Sequence, residues 1–318
     1  MMEKTCDIKR QPLLQVEHLR QYFPISRRHV VRAVEDVSFS VYPGETYGLV
    51  GESGSGKSTI GRTVIRLYRP TAGRILFDGK DISGAMDALT ENDLRVQMQM
   101  IFQDPMACLN PRKKVGDIVA QGLDIHHMYA SAGERAEKVA RILRKVGLAP
   151  EYASRFPHQF SGGQRQRIGI ARALVMQPKL IIADECISAL DVSVQAQVIN
   201  LMKEIQQETG NAYLFIAHDL SMVRYLSHRI GVLHMGYLVE SGTAEEIFEQ
   251  PVHPYTRSLL SAIPQPDPRA ERRRRVLQYD YQTSGMDYQQ GHCHKIGANH
   301  WVLATQEEYE MWMRQCSV

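Results

Sequence analysis

The sequence predicts an α/β fold with a mostly parallel β-sheet flanked by helices, a separate antiparallel β layer and a helical insert. The first observation is the alternation of helical and strand-like segments from residue 164 to 235. The second is a strand-like pattern before residue 43, and the third is an almost purely helical pattern over about 111–160. With 318 residues and 43% apolar content, the chain can fill one large core or two modest ones.

Each element of this fold has its own signal in the sequence. Apolar alternation marks the antiparallel layer, and Pro43-Gly44 turns the chain out of it. The first helix follows a glycine-rich loop and is predicted to run to about Tyr68, because Pro70 stops it. The predicted strands are 13–19, 30–42, 45–50, 74–77, 98–102, 179–183, 212–217 and 230–235, and the later helices are 164–176 and 192–208.

The run after the predicted strand 45–50 matches G-x-x-x-x-G-K-[ST], the pattern of a phosphate-binding loop. Its glycines let backbone N–H groups turn toward an anion, and the helix that starts near Lys57 directs its positive end to the same place. We expect Lys57 to reach the β- and γ-phosphates and Ser58 to offer its hydroxyl to Mg²⁺. The predicted nucleotide-binding residues are Gly51, Glu52, Ser53, Gly54, Ser55, Gly56, Lys57, Ser58 and Thr59.

Two carboxylates end the apolar strand that starts at residue 179. Buried acids are rare unless they are paired or bind a metal, and ligands bind at the carboxyl edge of a parallel sheet. We therefore expect Asp184 to hold Mg²⁺, through water, and Glu185 to orient and deprotonate the attacking water.

A second glycine-rich turn, Ser161-Gly162-Gly163-Gln164, precedes another amphipathic helix. The start of a helix is an anion site, because its N–H groups and its dipole point outward there. Taken alone, such a turn is a helix N-cap with little functional information. Its combination with the phosphate loop and the paired acids is what points to nucleotide chemistry.

In this order the motifs resemble those of the ATP-binding subunits of ATP-binding cassette (ABC) transporters, over roughly residues 13–250. The family's adenine-stacking aromatic falls at Phe23, with Tyr22 as the alternative. The other matching positions are the Walker A loop at 51–59, the Q-loop at Gln103, the signature at Ser161, Gly162, Gly163 and Gln164, Walker B at 180–185, the D-loop at Ser188, Ala189, Leu190 and Asp191, and the switch histidine at His218.

The resemblance implies a P-loop NTPase fold, namely an ABC nucleotide-binding domain with an antiparallel β subdomain, a RecA-like mostly parallel core and a helical subdomain. It also implies ATP and Mg²⁺ as cofactors and a head-to-tail pair of subunits, in which the Lys57 loop of one and the Ser161 turn of the other enclose each ATP. Catalysis would then rest on Glu185, His218 and Gln103. The Mg²⁺ ligands would be Ser58, Gln103 and Asp184.

A narrower resemblance is to the oligopeptide and dipeptide importer branch, and within it to the F-type ATPase subunits of oligopeptide permeases. It is carried by Leu109-Asn110-Pro111-Arg112 and above all by His253-Pro254-Tyr255-Thr256-Arg257. It implies ATP-driven peptide uptake at the cytoplasmic face of the cell membrane. The implied partners are a second ABC ATPase, different or identical, two transmembrane permease subunits and an extracellular peptide-binding protein.

Two other functions stay open, namely the same role in import of another small solute (a dipeptide, nickel or a glycoside) and, more remotely, a soluble non-transport ABC ATPase. The net charge of +3 gives no reason to expect a nucleic-acid partner. Relatives in this branch often carry a C-terminal iron–sulfur cluster, but Cys293 and Cys316 are too few to ligate one, so none is expected.

The expected division of the chain has four parts: an N-terminal tail, 1–12; the ABC ATPase domain, 13–250, with the helical insert; the transporter-type motif and a basic linker, 251–278; and a C-terminal appendage of unknown order, 279–318. Two positions depart from the family. Phe160 precedes the signature where the family more often has leucine, a change that this branch commonly tolerates. Cys186 stands where the family usually has proline after the catalytic glutamate, and its thiol next to Glu185 suggests the hypothesis that oxidation inhibits hydrolysis.

Overall fold

Two β-sheets form the frame of the protein, whose structure is a computed structural model. It describes residues 11–26, 29–188, 190–264, 271 and 274–316. Among them the strands are β1 (Leu14–Ser26), β2 (His29–Val41), β3 (Thr46–Val50), β4 (Ala72–Phe77), β5 (Lys80–Asp81), β6 (Met98–Ile101), β7 (Leu180–Asp184), β8 (Ala212–Ala217), β9 (Arg229–His234), β10 (Tyr237–Thr243), β11 (His292–Lys295) and β12 (Trp301–Ala304).

Helices cover the larger sheet and build the insert. In the described part of the chain they are α1 (Lys57–Val64), α2 (Ala88–Gln97), α3 (Pro105–Cys108), α4 (Val115–Ile125), α5 (Ala132–Lys145), α6 (Gly162–Leu174), α7 (Val192–Thr209), α8 (Leu220–Leu226), α9 (Ala244–Glu249), α10 (Pro254–Ser261) and α11 (Gln306–Cys316). Helix α1 ends at Val64 rather than near Tyr68, because Arg66 adopts a left-handed conformation with φ 67°.

The larger sheet has eight strands in the order β11-β12-β10-β9-β3-β8-β7-β6. The five strands from β9 to β6 are parallel, and every residue of β3, β7 and β8 is buried. Such strands are covered on both faces and read as continuous apolar runs, which is why the sequence showed them clearly. Their carboxyl ends meet at one edge, which brings the segments after β3, β6, β7 and β8 together.

The smaller sheet is the predicted antiparallel layer, with strand order β2-β1-β4-β5. It packs directly on the segment after β3. A Cβ atom placed on Gly56 would lie 2.3 Å from the carbonyl oxygen of Ala33, which belongs to β2. Only glycine fits at this approach, so the antiparallel layer forms one wall of the predicted phosphate loop.

The predicted helical insert contains α4 and α5, which pack against α6. Ser131 caps α5 by accepting a hydrogen bond from the backbone N–H of Glu134 (3.2 Å). Val139 and Leu143 lie on the buried face of α5 and join the core cluster that also contains β7 and β8 residues. The insert is therefore fixed to the main sheet through apolar contacts.

The C-terminal residues, for which the sequence showed no clear periodicity, extend the larger sheet. Strand β12 pairs antiparallel with β10, with Val302 opposite Glu240, and β11 pairs with β12. Trp312 of α11 is buried in a small cluster with Val252 and Val302. Four-residue strands are too short to show a period, which explains why the sequence did not reveal them.

Candidate functional site

The loop between β3 and α1 has the backbone of a phosphate cradle. Gly51 has φ 151°, and a Cβ atom there would lie 2.0 Å from the carbonyl oxygen of Leu233. Gly56 has φ 106° and immediately precedes α1, which starts at Lys57. The N–H groups of the first turn of α1 have no partner within the helix and are available to an anion.

Lys57 is buried, with 3% of its surface exposed. Its Nζ donates to the carbonyl oxygens of Gly51 (2.8 Å) and Glu52 (2.7 Å). Burial lowers the pKa of Lys57, while the Glu185 and Asp184 carboxylates act in the opposite direction. The ammonium group therefore already lies within the loop where phosphates would bind.

Asp184 ends β7 with only 2% of its surface exposed, and its Oδ1 accepts a hydrogen bond from the Ser58 hydroxyl at 2.6 Å. Burial raises the pKa of Asp184, against the effects of the Ser58 hydrogen bond and of Arg62, whose Nη2 lies 3.8 Å away. A hydroxyl and a carboxylate oxygen in contact are donors that Mg²⁺ prefers, and Mg²⁺ usually keeps several waters with only one or two protein carboxylates. The residues present therefore fit Mg²⁺.

Glu185 has a left-handed backbone, φ 45°, which is uncommon for a residue with a side chain. Its N–H donates to the carbonyl oxygen of Ile216 (2.9 Å). Its Oε2 accepts a hydrogen bond from Gln103 Nε2 at 2.9 Å and lies 3.9 Å from His218 Nδ1. Because these three residues follow β6, β7 and β8, the edge of the sheet brings the predicted catalytic set together.

Ser161 and Gln164 form a capping box at the start of α6. The Ser161 hydroxyl accepts the Gln164 N–H (3.3 Å), and Gln164 Oε1 accepts the Ser161 N–H (3.0 Å). A Cβ atom on Gly163 would lie 2.5 Å from Val194 Cγ1, and one on Gly162 would lie 3.8 Å from Leu190 Cδ2. The signature turn therefore packs on the D-loop and α7 of the same subunit.

The predicted D-loop leads into α7, with Asp191 at the N-cap position. Ser188 contacts the predicted catalytic residue Glu185, since the Ser188 hydroxyl donates to the Glu185 carbonyl oxygen (2.9 Å). Ala189, which the resemblance also assigned to the D-loop, lies outside the described residues. The two motifs are thus continuous in space as well as in sequence.

Phe23 and Tyr22, the two candidates for the adenine contact, have different surroundings. The Tyr22 hydroxyl donates to Glu35, and the Tyr22 ring lies under the Arg32 guanidinium. The Phe23 ring contacts Tyr68 edge-on, with 5.2 Å between ring centroids, and stays partly exposed. Phe23 is therefore the better placed of the two to offer a ring face, and its role stays a prediction.

Cys186 is buried, with 1% of its surface exposed, and burial raises the pKa of its thiol to about 12. Oxidation by peroxide proceeds through the thiolate and needs access from solvent. The environment of Cys186 therefore argues against the hypothesis that its oxidation inhibits hydrolysis.

One contact to the phosphate loop was missed by sequence reasoning. The backbone N–H of Glu52 donates to the hydroxyl of Tyr255 at 3.0 Å, across 203 positions of sequence. Tyr255 belongs to the His253-Pro254-Tyr255 motif, which the sequence marked only as a family feature. No periodicity or spacing signal connects two segments so far apart, so only the structure reveals the contact.

Comparison with known proteins decides the family. A family model described as "ABC transporter" matches residues 34–188, and one described as "Oligopeptide/dipeptide transporter, C-terminal region" matches residues 239–291. The chain is 54% identical over 301 residues to the oligopeptide transport ATP-binding protein OppF of Bacillus subtilis (strain 168), across 94% of this chain and 98% of that protein. The chain belongs to the ABC transporter ATP-binding protein family.

Other relatives of this ABC ATPase support the same family assignment. OppF of Streptococcus mutans is 52% identical, with 96% of this chain and 99% of that protein covered, and the dipeptide transport ATP-binding protein DppF of Lactococcus lactis is 49% identical, with 96% and 98% covered. Among solved structures, CbiO1 of Clostridium perfringens has a TM-score of 0.66 at 27% identity, covering 75% of this chain and 91% of that one. The cassette MJ0796, solved as a dimer bound to ADP and Pi, has the same TM-score and identity, covering 73% and 98%.

These findings confirm the predicted fold class, the predicted family and its oligopeptide branch, and the expectation that the ABC ATPase is an ATP-hydrolysing enzyme. Within the described ranges, no helix has the length and apolar content that crossing a membrane requires.

Proposed function

We propose that this ABC ATPase hydrolyses ATP to ADP and phosphate to drive uptake of oligopeptides across the cytoplasmic membrane. The observation that carries the ATPase role is the meeting of Gln103, Glu185 and His218 at the sheet edge beside the phosphate loop. The cargo is inferred from relatives in Bacillus subtilis and Streptococcus mutans, which are named oligopeptide transport ATP-binding proteins and match over nearly their full length.

In the proposed site, residues 51–59 surround the phosphates of ATP, Lys57 contacts the β- and γ-phosphates, and Phe23 stacks on adenine. Ser58, Asp184 and the Gln103 amide oxygen hold Mg²⁺, which supplies positive charge to the phosphate groups when bound. Glu185 takes the proton of the attacking water, and His218 orients that water or the γ-phosphate. The Gln103–Glu185 hydrogen bond supports this proposal, because it fixes the carboxylate next to the loop.

The proposed functional unit is a pair of ABC ATPases, arranged so that Ser161–Gln164 of one subunit face the ATP of the other. The start of α6 supports this role, because backbone N–H groups at the start of a helix can donate hydrogen bonds to a phosphate. The packing of Gly162 on Leu190 would carry changes at that phosphate into the D-loop, and the packing of Gly163 on Val194 would carry them into α7. We propose a heterodimer with a similar ATPase, and a homodimer is the alternative.

The permease subunits are proposed to dock in a groove of about 570 Å³ between α2, β6 and α4. Four methionines are among its lining residues, which suits a surface that adapts to a partner. The groove includes Phe102, the neighbour of Gln103, so a partner bound there lies one residue from the catalytic set. Residues that line it include Leu94, Met98, Met100, Phe102 and Met176.

The remaining assignments complete the proposal. The ATPase acts at the cytoplasmic face of the cell membrane as a peripheral subunit, and an extracellular peptide-binding protein delivers the cargo. We also propose that residues 13–250 form the ATPase domain, residues 251–278 the transporter-type motif with its basic linker and residues 279–318 a C-terminal appendage. The pairing of β12 with β10 supports attachment of this appendage to the larger sheet.

Dipeptides are a second candidate cargo, favoured by the relative named DppF in Lactococcus lactis. Nickel and glycosides stay as further alternatives because an ATPase subunit does not itself contact the solute.

The test is to tag the chain, extract it gently from its native membrane and identify its partners by mass spectrometry. Two multi-span subunits, a second ABC ATPase and a peptide-binding protein are expected. Uptake of labelled tri- to hexapeptides, lost in a Glu185→Gln strain and retained in a Glu249→Gln strain, would support the oligopeptide assignment. Uptake of dipeptides alone would favour the second candidate, and recovery of ribosomal or nucleic-acid partners would overturn transport.

A further inference from the structure

The peptide unit that joins Gly51 to Glu52 is held from both sides. Its carbonyl oxygen, on Gly51, accepts a hydrogen bond from Lys57 Nζ at 2.8 Å. Its N–H, on Glu52, donates to the Tyr255 hydroxyl at 3.0 Å. Because a trans peptide is planar, its C=O and N–H point in opposite directions within one rigid plane. Lys57 therefore binds the carbonyl side of this peptide group and Tyr255 binds its N–H side.

Tyr255 is itself held in place by its neighbours. It is buried, with 1% of its surface exposed, and its ring lies 4.0 Å, centroid to centroid, from the ring of His234. Its backbone N–H donates to Nδ1 of His253, the N-cap of α10, at 3.1 Å. A side chain held in this way cannot move with the loop, so its hydroxyl keeps the Gly51–Glu52 peptide group in one position.

The residues that hold Tyr255 in place come from the C-terminal part of the chain. The Glu240 carboxylate accepts the N–H groups of Val252 (2.8 Å) and His253 (3.1 Å), and His300 Nε2 lies 2.8 Å from the same carboxylate. All three side chains, Glu240, His253 and His300, are buried. The start of α10 is thus anchored by a carboxylate that also binds the segment before β12.

Two tyrosines of the C-terminal region complete the surroundings of Tyr255. The Tyr279 ring lies 5.6 Å from the Tyr255 ring, and the Tyr279 hydroxyl lies 3.0 Å from that of Tyr288. The Tyr288 hydroxyl also lies 2.8 Å from His234 Nδ1. These residues form an aromatic cluster, His234, His253, Tyr255, Tyr279 and Tyr288, of which only Tyr255 bonds to the phosphate loop in the described structure.

We propose that Tyr255 is a positioning residue for ATP, which acts by holding the Gly51–Glu52 peptide plane against the phosphate site. The inference rests on the proposed function, since it requires residues 51–59 to bind the phosphates. Lys57 already binds the Gly51 carbonyl, and the Tyr255 hydroxyl adds the second hydrogen bond that fixes the peptide plane before ATP arrives. The loop is thereby pre-organised, and loss of the hydroxyl adds the cost of ordering this peptide to the binding of ATP.

The test compares Tyr255→Phe with Tyr279→Phe in the full-length chain. Each change removes one hydroxyl from the aromatic cluster and keeps the ring, but only the first removes a bond to the loop. For Tyr255→Phe we expect the Kd for ATP with Mg²⁺ to rise about 3- to 10-fold, the effect of one lost hydrogen bond. In the assembled transporter, KM for ATP should rise by the same factor while kcat at saturating ATP stays within about two-fold.

Thermal unfolding of both variants shows whether a change in Kd for ATP comes from lost positioning of the loop or from lower stability of the protein. We expect similar Tm values for the two variants and a wild-type Kd for Tyr279→Phe. Equal Kd values for Tyr255→Phe and wild type would overturn the inference. A Kd that rises equally in both variants would also overturn it, because the effect would then belong to the cluster as a whole.

A Lys57→Ala variant distinguishes failure of the positioning role of Tyr255 from failure of the proposed phosphate site. Loss of ATP binding in Lys57→Ala with wild-type affinity in Tyr255→Phe would reject only the positioning role. Wild-type affinity in Lys57→Ala would reject the phosphate site, and the positioning role of Tyr255 with it.

Discussion

Gln103 Nε2 donates a hydrogen bond of 2.9 Å to Glu185 Oε2, although 82 positions separate the two residues in sequence. Gln103 follows β6 and Glu185 follows β7, and these strands are neighbours in the parallel sheet. Gln103 also leads into α3 and the helical insert beyond it. A displacement of the insert therefore has a direct route to the carboxylate proposed as the catalytic base.

Replacement of Glu185 by glutamine should nearly abolish ATP hydrolysis and leave ATP binding intact. The amide keeps the size of the side chain but cannot take a proton, and general-base catalysis contributes about 10²- to 10⁴-fold to rates. Phosphate release by the assembled transporter and ATP binding by the chain measure the two effects. Glu249→Gln, at an exposed position of α9, is the matched control. Wild-type turnover in Glu185→Gln would reject Glu185 as the base.

The apparent affinity for Mg²⁺ should fall with acidification through the titration of Asp184. Burial raises the pKa of Asp184, so this carboxyl is protonated at a higher pH than an exposed aspartate, for which the pKa is about 3.9. Because Mg²⁺ binds the ionised form, its affinity is full above the raised pKa and is lost as the pH falls through it.

Mg²⁺ titrations of ATP binding from about pH 7.5 down to about pH 4, near the pKa of an exposed aspartate, are the measurement for Asp184. Asp184→Asn should bind Mg²⁺ more weakly and lose this part of the pH dependence, whereas Asp93→Asn, at an exposed position, should match wild type. An identical pH profile in Asp184→Asn and wild type would show that another group is responsible.

Peroxide should not inhibit ATP hydrolysis by oxidising Cys186. The thiol is buried and its pKa is raised to about 12, so almost no thiolate is present near neutral pH. Mass spectrometry after mild peroxide treatment should find Cys186 unmodified. Inhibition that disappears in Cys186→Ala would contradict this expectation.

Acidification below about pH 6.5 should destabilise the aromatic cluster. Burial lowers the pKa of His234 to about 4 and that of His253 to about 3. In the unfolded chain both histidines bind a proton near pH 6.5, so the unfolded state gains protons first as the pH falls. Stability is therefore full above pH 6.5 and declines toward pH 4, by at most about 1.4 kcal/mol per pH unit for each proton.

Urea unfolding at a series of pH values gives the free energy of unfolding as a function of pH. The slope of this dependence tests whether the two histidines cause the loss of stability. His234→Phe lowers the starting stability because it loses the Tyr288 hydrogen bond, but it removes one titrating group, so its decline with acid should be shallower. His158→Phe, at an exposed position, should keep the wild-type slope. Equal slopes in all three proteins would refute the assignment to His234.

The nucleotide motifs could be predicted from sequence because each is local. The phosphate loop, the paired acids and the signature turn each occupy a few consecutive residues next to a clear strand or helix. The parallel topology then dictated that Gln103, Glu185 and His218 would meet, since strand ends share an edge. Side-chain hydrogen bonds such as Ser58 to Asp184 followed from that placement.

Features that depend on distant contacts could not be predicted. The left-handed backbone of Glu185 is stabilised by its hydrogen bond to Ile216, in another strand. The Tyr255 contact joins segments about two hundred positions apart. Strand β12 is ordered by pairing with β10 and β11 by pairing with β12, and with four residues each they are too short to show a period in the sequence.

The pairing of β10 with β12 also has a practical consequence for production of the protein. A chain cut at residue 250, where the nucleotide-binding motifs have all been completed, would leave β10 as a bare sheet edge. Unpaired edges recruit strands from other molecules, and the missing segment would also remove Val252 and Tyr255. Such a shortened ATPase should precipitate or form strand-linked oligomers, even though Gln103, Glu185 and His218 are all still present.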